Sequence, residues 1–469
     1  MKRRTFFKDT ALASAALGFL LPTVSHGMEA EETAWSFRKK KAKNIIFLVS
    51  DGMSIGTLTM SDVFLRAKNG TGSNWLGLYR QNKVKRALMD MASASSVITD
   101  SAAASSSWGG GVRVKNGRLN TGDNGEEYMP VWQKFKKVGK KVGCVTTVPI
   151  THATPAGFCV SSKSRGEQSD IAAKYLDIRF DVMMGGGGKY FNQKEKGIDL
   201  FPQYINSGFQ VVNTKSQMLE TNSQKPVLGV FDEEALPYEI DRLNDNILRQ
   251  NIPSLAEMTE KAIGLMKDHK AGFCLQVEGG KVDWAAHAND APALIYDQVA
   301  FDEAVKVAID FAEKDGETLV IVTTDHGNAN PGLYYGKDAD KKFETLFSMK
   351  QSTSLLFSLT KKGESFETLK ERIMVGQRCA FEDDEVKMLI KKFDEQPDSG
   401  TYNEYKLPYE LYANILRKHT NIHFGGTDHS ADFTELAMFG PGSHKLPAFI
   451  KNTDLHHFML EAAEVENKF

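Results

Sequence analysis

Cysteine is scarce in this chain: four residues in 469. That is far too few for a disulfide-built scaffold, and no pair has zinc-finger spacing. Charge of one sign is also missing. Fifty-eight Lys and Arg face 60 Asp and Glu, so the formal charge is -2. A nucleic-acid binder would carry a basic excess or patch, so that class is set aside. No later apolar stretch approaches the 18 residues of a membrane helix, which excludes a multi-span membrane protein. Repeats and low-complexity tracts are absent as well. What remains is 41% hydrophobic and 25% charged, an ordinary globular composition, with no sign of a collagen or a disordered tail. The length allows two to three domains, or one large α/β domain with insertions.

Residues 1–27 differ from the rest. Lys2, Arg3 and Arg4 precede a small and apolar run from Ala11 to Leu21, then Pro22. The run is too short to span a bilayer. Arg3-Arg4-Thr5-Phe6-Phe7-Lys8 resembles a twin-arginine export signal, with cleavage expected near Ser25–Gly27. Its loss would remove four basic residues and one acid and leave a charge of -5. The expected product is a periplasmic or otherwise extracytoplasmic protein with no membrane attachment. Cys144, Cys159 and Cys274 lie in apolar, strand-like segments, and Cys379 is the fourth. Buried free thiols are the favoured reading over disulfides.

Short apolar runs at Asn44–Ser50, Val142–Val148, Asp181–Met184, Phe273–Val277, Thr318–Thr323 and Phe433–Phe439 read as buried strands of a parallel sheet. Ser54–Lys68, Ser169–Leu176, Ser254–His269 and Ala291–Glu313 show helical spacing, and Ser254 after Pro253 is a helix start signal. The alternation predicts an α/β fold, a doubly wound and mostly parallel sheet flanked by helices. Asn213–Asn251 is polar, and Leu333–Asn421 is long, charged and weakly periodic. The second is expected to be an insertion, a cap or crown-like region or a dimerisation element, within one domain spanning 28–469. Gly185–Gly188 lacks any dinucleotide or Walker pattern and reads as a tight turn.

Three strands end in an acid beside glycine: Asp51-Gly52, Glu278-Gly279-Gly280 and Asp325-His326-Gly327. Ligands bind at the carboxyl ends of strands in open α/β sheets. One acid there is explained as a helix cap; three are not. Asp283 and His287 share a helix face if their segment is helical, a spacing that can chelate zinc. His429, in Gly426-Thr427-Asp428-His429-Ser430, gains weight from that company. In Thr99-Asp100-Ser101-Ala102-Ala103-Ala104-Ser105, small residues would start a compact helix with Ser101 at its positive end. No Gly-x-Ser-x-Gly elbow surrounds Ser101 and no His is adjacent in sequence. That favours activation by a metal over a serine esterase.

These segments resemble the alkaline phosphatase family. The strings are Ser50-Asp51-Gly52-Met53, Thr99-Asp100-Ser101-Ala102-Ala103, His152-Ala153-Thr154-Pro155-Ala156, Glu278-Gly279-Gly280-Lys281-Val282-Asp283 with His287, Thr324-Asp325-His326-Gly327-Asn328, and His429, in order across residues 42–440. The resemblance implies a doubly wound core and a site of two zinc ions and one magnesium. One zinc would rest on Asp283, His287 and His429, the second on Asp51, Asp325 and His326, and the third metal on Asp51, Thr154 and Glu278. Ser101 would be the nucleophile, forming a phosphoserine, and Arg165 would bind the phosphate of small phosphate monoesters. A homodimer is also implied. Some members carry Asp where His152 stands and Lys where Trp284 stands. His and Trp here imply a weaker magnesium preference, with zinc or cobalt able to replace it, and faster phosphate release. A sulfatase would need Pro and Arg after the nucleophile, which Ser101-Ala102-Ala103-Ala104-Ser105 lacks. A related phosphodiesterase would more often use Thr and lack the Arg. A non-catalytic metal or phosphate binder is the remaining alternative.

Overall fold

A computed structural model describes residues 41–193, 197–395 and 407–467. The expected export signal lies outside the described residues. Ten strands form the main sheet: β1 (Asn44–Ser50), β2 (Lys85–Asp90), β3 (Lys141–Pro149), β4 (Val182–Gly186), β5 (Gln210–Val212), β6 (Val227–Val230), β7 (Phe273–Gly279), β8 (Thr318–Thr323), β9 (Thr434–Phe439) and β10 (Phe449–Lys451). Their spatial order is β10-β2-β9-β8-β1-β7-β3-β4-β6-β5. All pairings are parallel except those of β9, which runs against both β8 and β2.

The central strands are mostly apolar because helices cover both faces. Every residue of β1, β7 and β8 is buried. Alternate residues of β1 serve two cores. Ile46 and Leu48 pack with the helices Ile55–Asn69, Leu255–Met266 and Ala291–Asp315. Ile45, Phe47 and Val49 pack with Ser101–Gly109, Val131–Lys137, Gln168–Ile178 and Asn452–Ala462. The helix starts are locally encoded. Ser254 and Glu257 form a reciprocal capping box, and Asp290 caps the 25-residue helix, with Pro292 in its first turn.

Four strands carry no long apolar run: β2, β5, β6 and β10. β2, Lys85-Arg86-Ala87-Leu88-Met89-Asp90, alternates exposed and buried residues near the sheet edge, so its apolar content is halved. The direction of β9 is a correction to its reading as a parallel strand. The loop before it carries His429 at the carboxyl ends of the other strands, so β9 starts there and must run back. The four cysteines are free and buried, as expected. Gly185 and Gly186 end β4, and Gly187 turns at φ 97°. The N–H groups of Gly187 and Gly188 both donate to Asp232 O at 3.0 Å, which makes this a turn and leaves no phosphate cradle.

Between β8 and β9 the chain builds a block of helices, including Thr353–Ser358, Phe366–Gln377, Asp383–Asp394 and Tyr409–Thr420. A two-residue ladder closes its neck, Gly332 opposite His423 and Leu333 opposite Ile422. Phe347 packs edge-on to Phe64, at 5.0 Å between centroids. Asp241 accepts from Ser352 N and Oγ at 2.8 and 2.6 Å, and Asp290 accepts from Ser354 N at 2.9 Å. These buried carboxylates fasten the block to the sheet domain.

Candidate metal centre and nucleophile

Asp51, Glu278, Asp325 and His326 stand at the carboxyl ends of β1, β7 and β8 and are buried. Gly279-Gly280 lets the chain turn at once into the helix Lys281–His287, which carries Asp283 and His287 one turn apart on one face. His429 arrives from the far side of the helical block and lies opposite Asn328 in a short antiparallel pair. Gly52, at φ 65°, lets the backbone pass Asp283, whose Oδ1 lies 2.4 Å from where a Cβ would be.

The side chains converge in three groups: Asp283, His287 and His429; Asp51, Asp325 and His326; and Asp51, His152 and Glu278. Within each, one ligand atom per residue lies within 4.8 Å of the others. Asp51 belongs to two of them. Thr154 accompanies the third, its Oγ1 3.4 Å from Asp51 Oδ2.

The donor atoms are arranged for cations. His287 Nδ1 donates to Thr427 O and His429 Nδ1 donates to Thr99 O, so each ring presents a bare Nε2. Those two nitrogens face each other at 3.1 Å, with Asp283 oxygens 3.5 and 3.6 Å away. Facing lone pairs beside a carboxylate call for a positive charge between them. Asp51 Oδ1, Asp325 Oδ2 and Glu278 Oε1 are buried with no hydrogen-bond partner. Orphaned carboxylate oxygens are costly unless an ion takes them. The residues therefore fit divalent metals.

Electrostatics tells the same story. Burial, and then the charges of Asp325, Asp283 and Glu278, raise the Asp51 carboxyl well above its ordinary value. Burial likewise pushes Glu278 up to about 8, against bonds from Thr146 and Thr154. Asp283 moves the other way: burial opposes it, but His287, His326 and His429 hold it below the usual range. Burial, then the charge of Arg165, drives His152 down to about 3, so that ring is neutral.

Ser101 opens the helix Ser101–Gly109, with Asp100 as its N-cap. Its Oγ lies 3.3 Å from His326 Nε2, so a histidine distant in sequence is adjacent in space. Asp100 is shared: Oδ1 accepts from Ala103 N at 2.9 Å, and Oδ2 accepts from Gly117 N at 2.9 Å and from Arg165 Nη1 at 3.0 Å. Arg165 Nη2 donates to His152 Nε2 at 3.1 Å. Trp284 and His152 meet edge to face, 6.1 Å between centroids, and Lys281 Nζ lies 4.9 Å from the Trp284 ring. All twelve residues singled out in the sequence thus gather at one end of the sheet.

Several partners had no role in the sequence reading. Asn328 donates to Asp283 Oδ1 at 2.7 Å, and Thr146 donates to Glu278 Oε2. Asp100 was legible as a cap, since Asp before a helix start is a standard N-cap. Thr146 lies mid-strand, where nothing in sequence marks it.

A family model described as alkaline phosphatase matches residues 42–465. The chain belongs to the alkaline phosphatase family. Alkaline phosphatase 4 of Bacillus subtilis (strain 168) is 30% identical over 471 residues, covering 97% of each chain. The alkaline phosphatase of Escherichia coli (strain K12) is 32% identical over 63% of this chain and 72% of its own. The crystal structure of Thermus thermophilus alkaline phosphatase superposes with a TM-score of 0.84 at 28% identity, covering 96% of both chains. Membership makes the chain an enzyme, a phosphatase, and the sheet with helices on both faces is the family's fold.

Proposed function

We propose that the enzyme hydrolyses small phosphate monoesters through a phosphoserine on Ser101. The observation that supports this most is the convergence of three ligand groups on one serine and one arginine. Asp283, His287 and His429 would hold one zinc, Asp51, Asp325 and His326 a second, and Asp51, Thr154 and Glu278 a third ion, with His152 beside them. Magnesium suits the oxygens of that third group, and the neighbouring imidazole admits zinc or cobalt in its place. Bound ions would supply Lewis acidity, favouring the serine alkoxide and offsetting charge on the leaving oxygen.

The residues do the rest. Ser101 Oγ forms the new bond to phosphorus as the ester P–O bond breaks and the alcohol departs. The helix start beneath it favours the dianion. Arg165, steadied by Asp100, offers a planar fork to the phosphoryl oxygens. Water then cleaves the phosphoserine and restores the hydroxyl, releasing phosphate. Burial of the carboxylates keeps bulk water from screening these charges.

The remaining readings join this one. Residues 1–27 act as a twin-arginine signal and deliver the enzyme to the periplasm or otherwise outside the cytoplasm. Residues 28–469 form one catalytic domain, with 333–421 as its insertion, and the enzyme works as a homodimer. Among the described residues no helix is long and apolar enough to cross a membrane. Release of p-nitrophenol from p-nitrophenyl phosphate, with elemental analysis of the same protein, tests the central claim. Turnover should require zinc, stop with EDTA and vanish in Ser101→Ala while zinc content persists. Intact, zinc-loaded protein without hydrolysis would favour a metal or phosphate binder, and loss of zinc in the variant would remove Ser101 from its role.

A further inference from the structure

Arg165 and His152 compete with a cation for one lone pair. A guanidinium only donates, so His152 Nε2 must accept from Arg165 Nη2 across their 3.1 Å contact. The single proton of the neutral ring then sits on Nδ1, which is buried and has no partner. The same ring forms a ligand group with Asp51 and Glu278. An imidazole ligates a metal through a bare nitrogen, and a neutral ring has only one to give. If an ion takes Nε2, it displaces Nη2 directly. If it takes Nδ1, the proton moves to Nε2, and N–H then faces N–H. Either way Nη2 is released, while Nη1 stays on Asp100 at 3.0 Å.

We propose that His152 is a positioning residue that makes Arg165 and the third-site ion alternative partners, so that filling this site frees one arm of Arg165 for a phosphate oxygen. This rests on the reading of Arg165 as the phosphate clamp. Ion and phosphate then bind cooperatively, and each tightens the other by the same factor. A carboxylate at 152 would not create this coupling, because its two oxygens can serve an arginine and an ion together. The traded contact is one hydrogen bond from an arginine that is partly open to water, which holds it to the worth of an ordinary bond, so the factor is about 3- to 10-fold.

The test is calorimetric titration of inorganic phosphate into enzyme carrying zinc at the first two groups and no third ion, verified by elemental analysis. His152→Ala leaves net charge unchanged and removes the competing acceptor. It should bind phosphate about 3- to 10-fold tighter than wild type. Equal or weaker binding overturns the proposal. Arg165→Ala is the control: if it binds phosphate as well as wild type, the clamp reading itself fails. In wild type, saturating phosphate should lower by the same factor the cobalt concentration that fills the third site, followed by cobalt's visible absorption. An unchanged cobalt titration overturns the proposal too, and it decides alone if the alanine variant loses zinc or unfolds.

Discussion

Removing the metals should turn rising pH into a destabilising condition, and Glu278 sets the size of the effect. Its carboxyl is fully buried at the end of β7, and burial with Asp325 and Asp283 nearby raises it to about 8. In the unfolded chain it returns to about 4.3. Between those values the native state keeps a proton that the unfolded state has released. Stability therefore falls as pH rises there, by about 1.4 kcal/mol per unit for this one group.

The histidines act with the opposite sign in a lower window. Burial depresses His152 to about 3 and His456 to about 4, and also lowers His326. They take up protons only on unfolding, so their term raises stability with pH through their unfolded value, about 6.5, and the three together add about 1 kcal/mol more above it. Between about pH 6.5 and 8 Glu278 alone removes about 2 kcal/mol, more than the histidines add over the same range. Asp51 and Asp297 are raised well above their ordinary value and add to the trend. Glu278→Gln isolates the contribution of one residue. Urea unfolding after EDTA treatment, followed by tryptophan fluorescence at about pH 6.5 and 8, measures it. Wild type should weaken at the higher pH and the Gln variant should weaken less. Metal-loaded enzyme should lose the trend, because ions bind the deprotonated carboxylates and tighten with pH. A metal-free wild type equally stable at both values, or a Gln variant with the full loss, would refute the reasoning.

Asn328→Leu removes the 2.7 Å bond to Asp283 Oδ1, and zinc affinity by chelator competition should fall about 10- to 100-fold; unchanged affinity would show that Asp283 needs no such support. Trp284→Lys should strengthen product inhibition by phosphate, because a cation then stands beside the clamp. An inhibition constant no tighter than that of wild type counts against faster phosphate release. Ser352→Ala strips Asp241 of its 2.6 Å partner and should lower stability by about 1–3 kcal/mol in urea, with zinc content intact. No change in the midpoint would mean that this carboxylate does not fasten the helical block.

The legible part of this molecule was what a strand or helix dictates locally. β1, β7 and β8 are buried on both faces, so each is a mostly apolar run, and the acids at their ends stand out against it. The spacing of Asp283 and His287 puts them on one face once their segment is helical, as Lys281–His287 is. What sequence could not show is which atoms those residues spend on each other. Without the family resemblance Arg165 reads as one more charge in Ser164-Arg165-Gly166-Glu167, and only the fold brings it 3.0 Å from Asp100 and 3.1 Å from His152. The same limit hid the direction of β9, since an apolar run carries no arrow. That direction is nonetheless tied to the site. His429 must reach Asp283 from the carboxyl end of the sheet, so the strand after it has to descend. The helical block leaves the sheet just after Asp325 and His326 and returns just before His429, so both arms of its neck carry proposed ligands. Its fastening through Asp241 and Asp290 therefore bears on ligand geometry as well as on stability, since a block that shifts on the sheet pulls His429 away from Asp283 and His287.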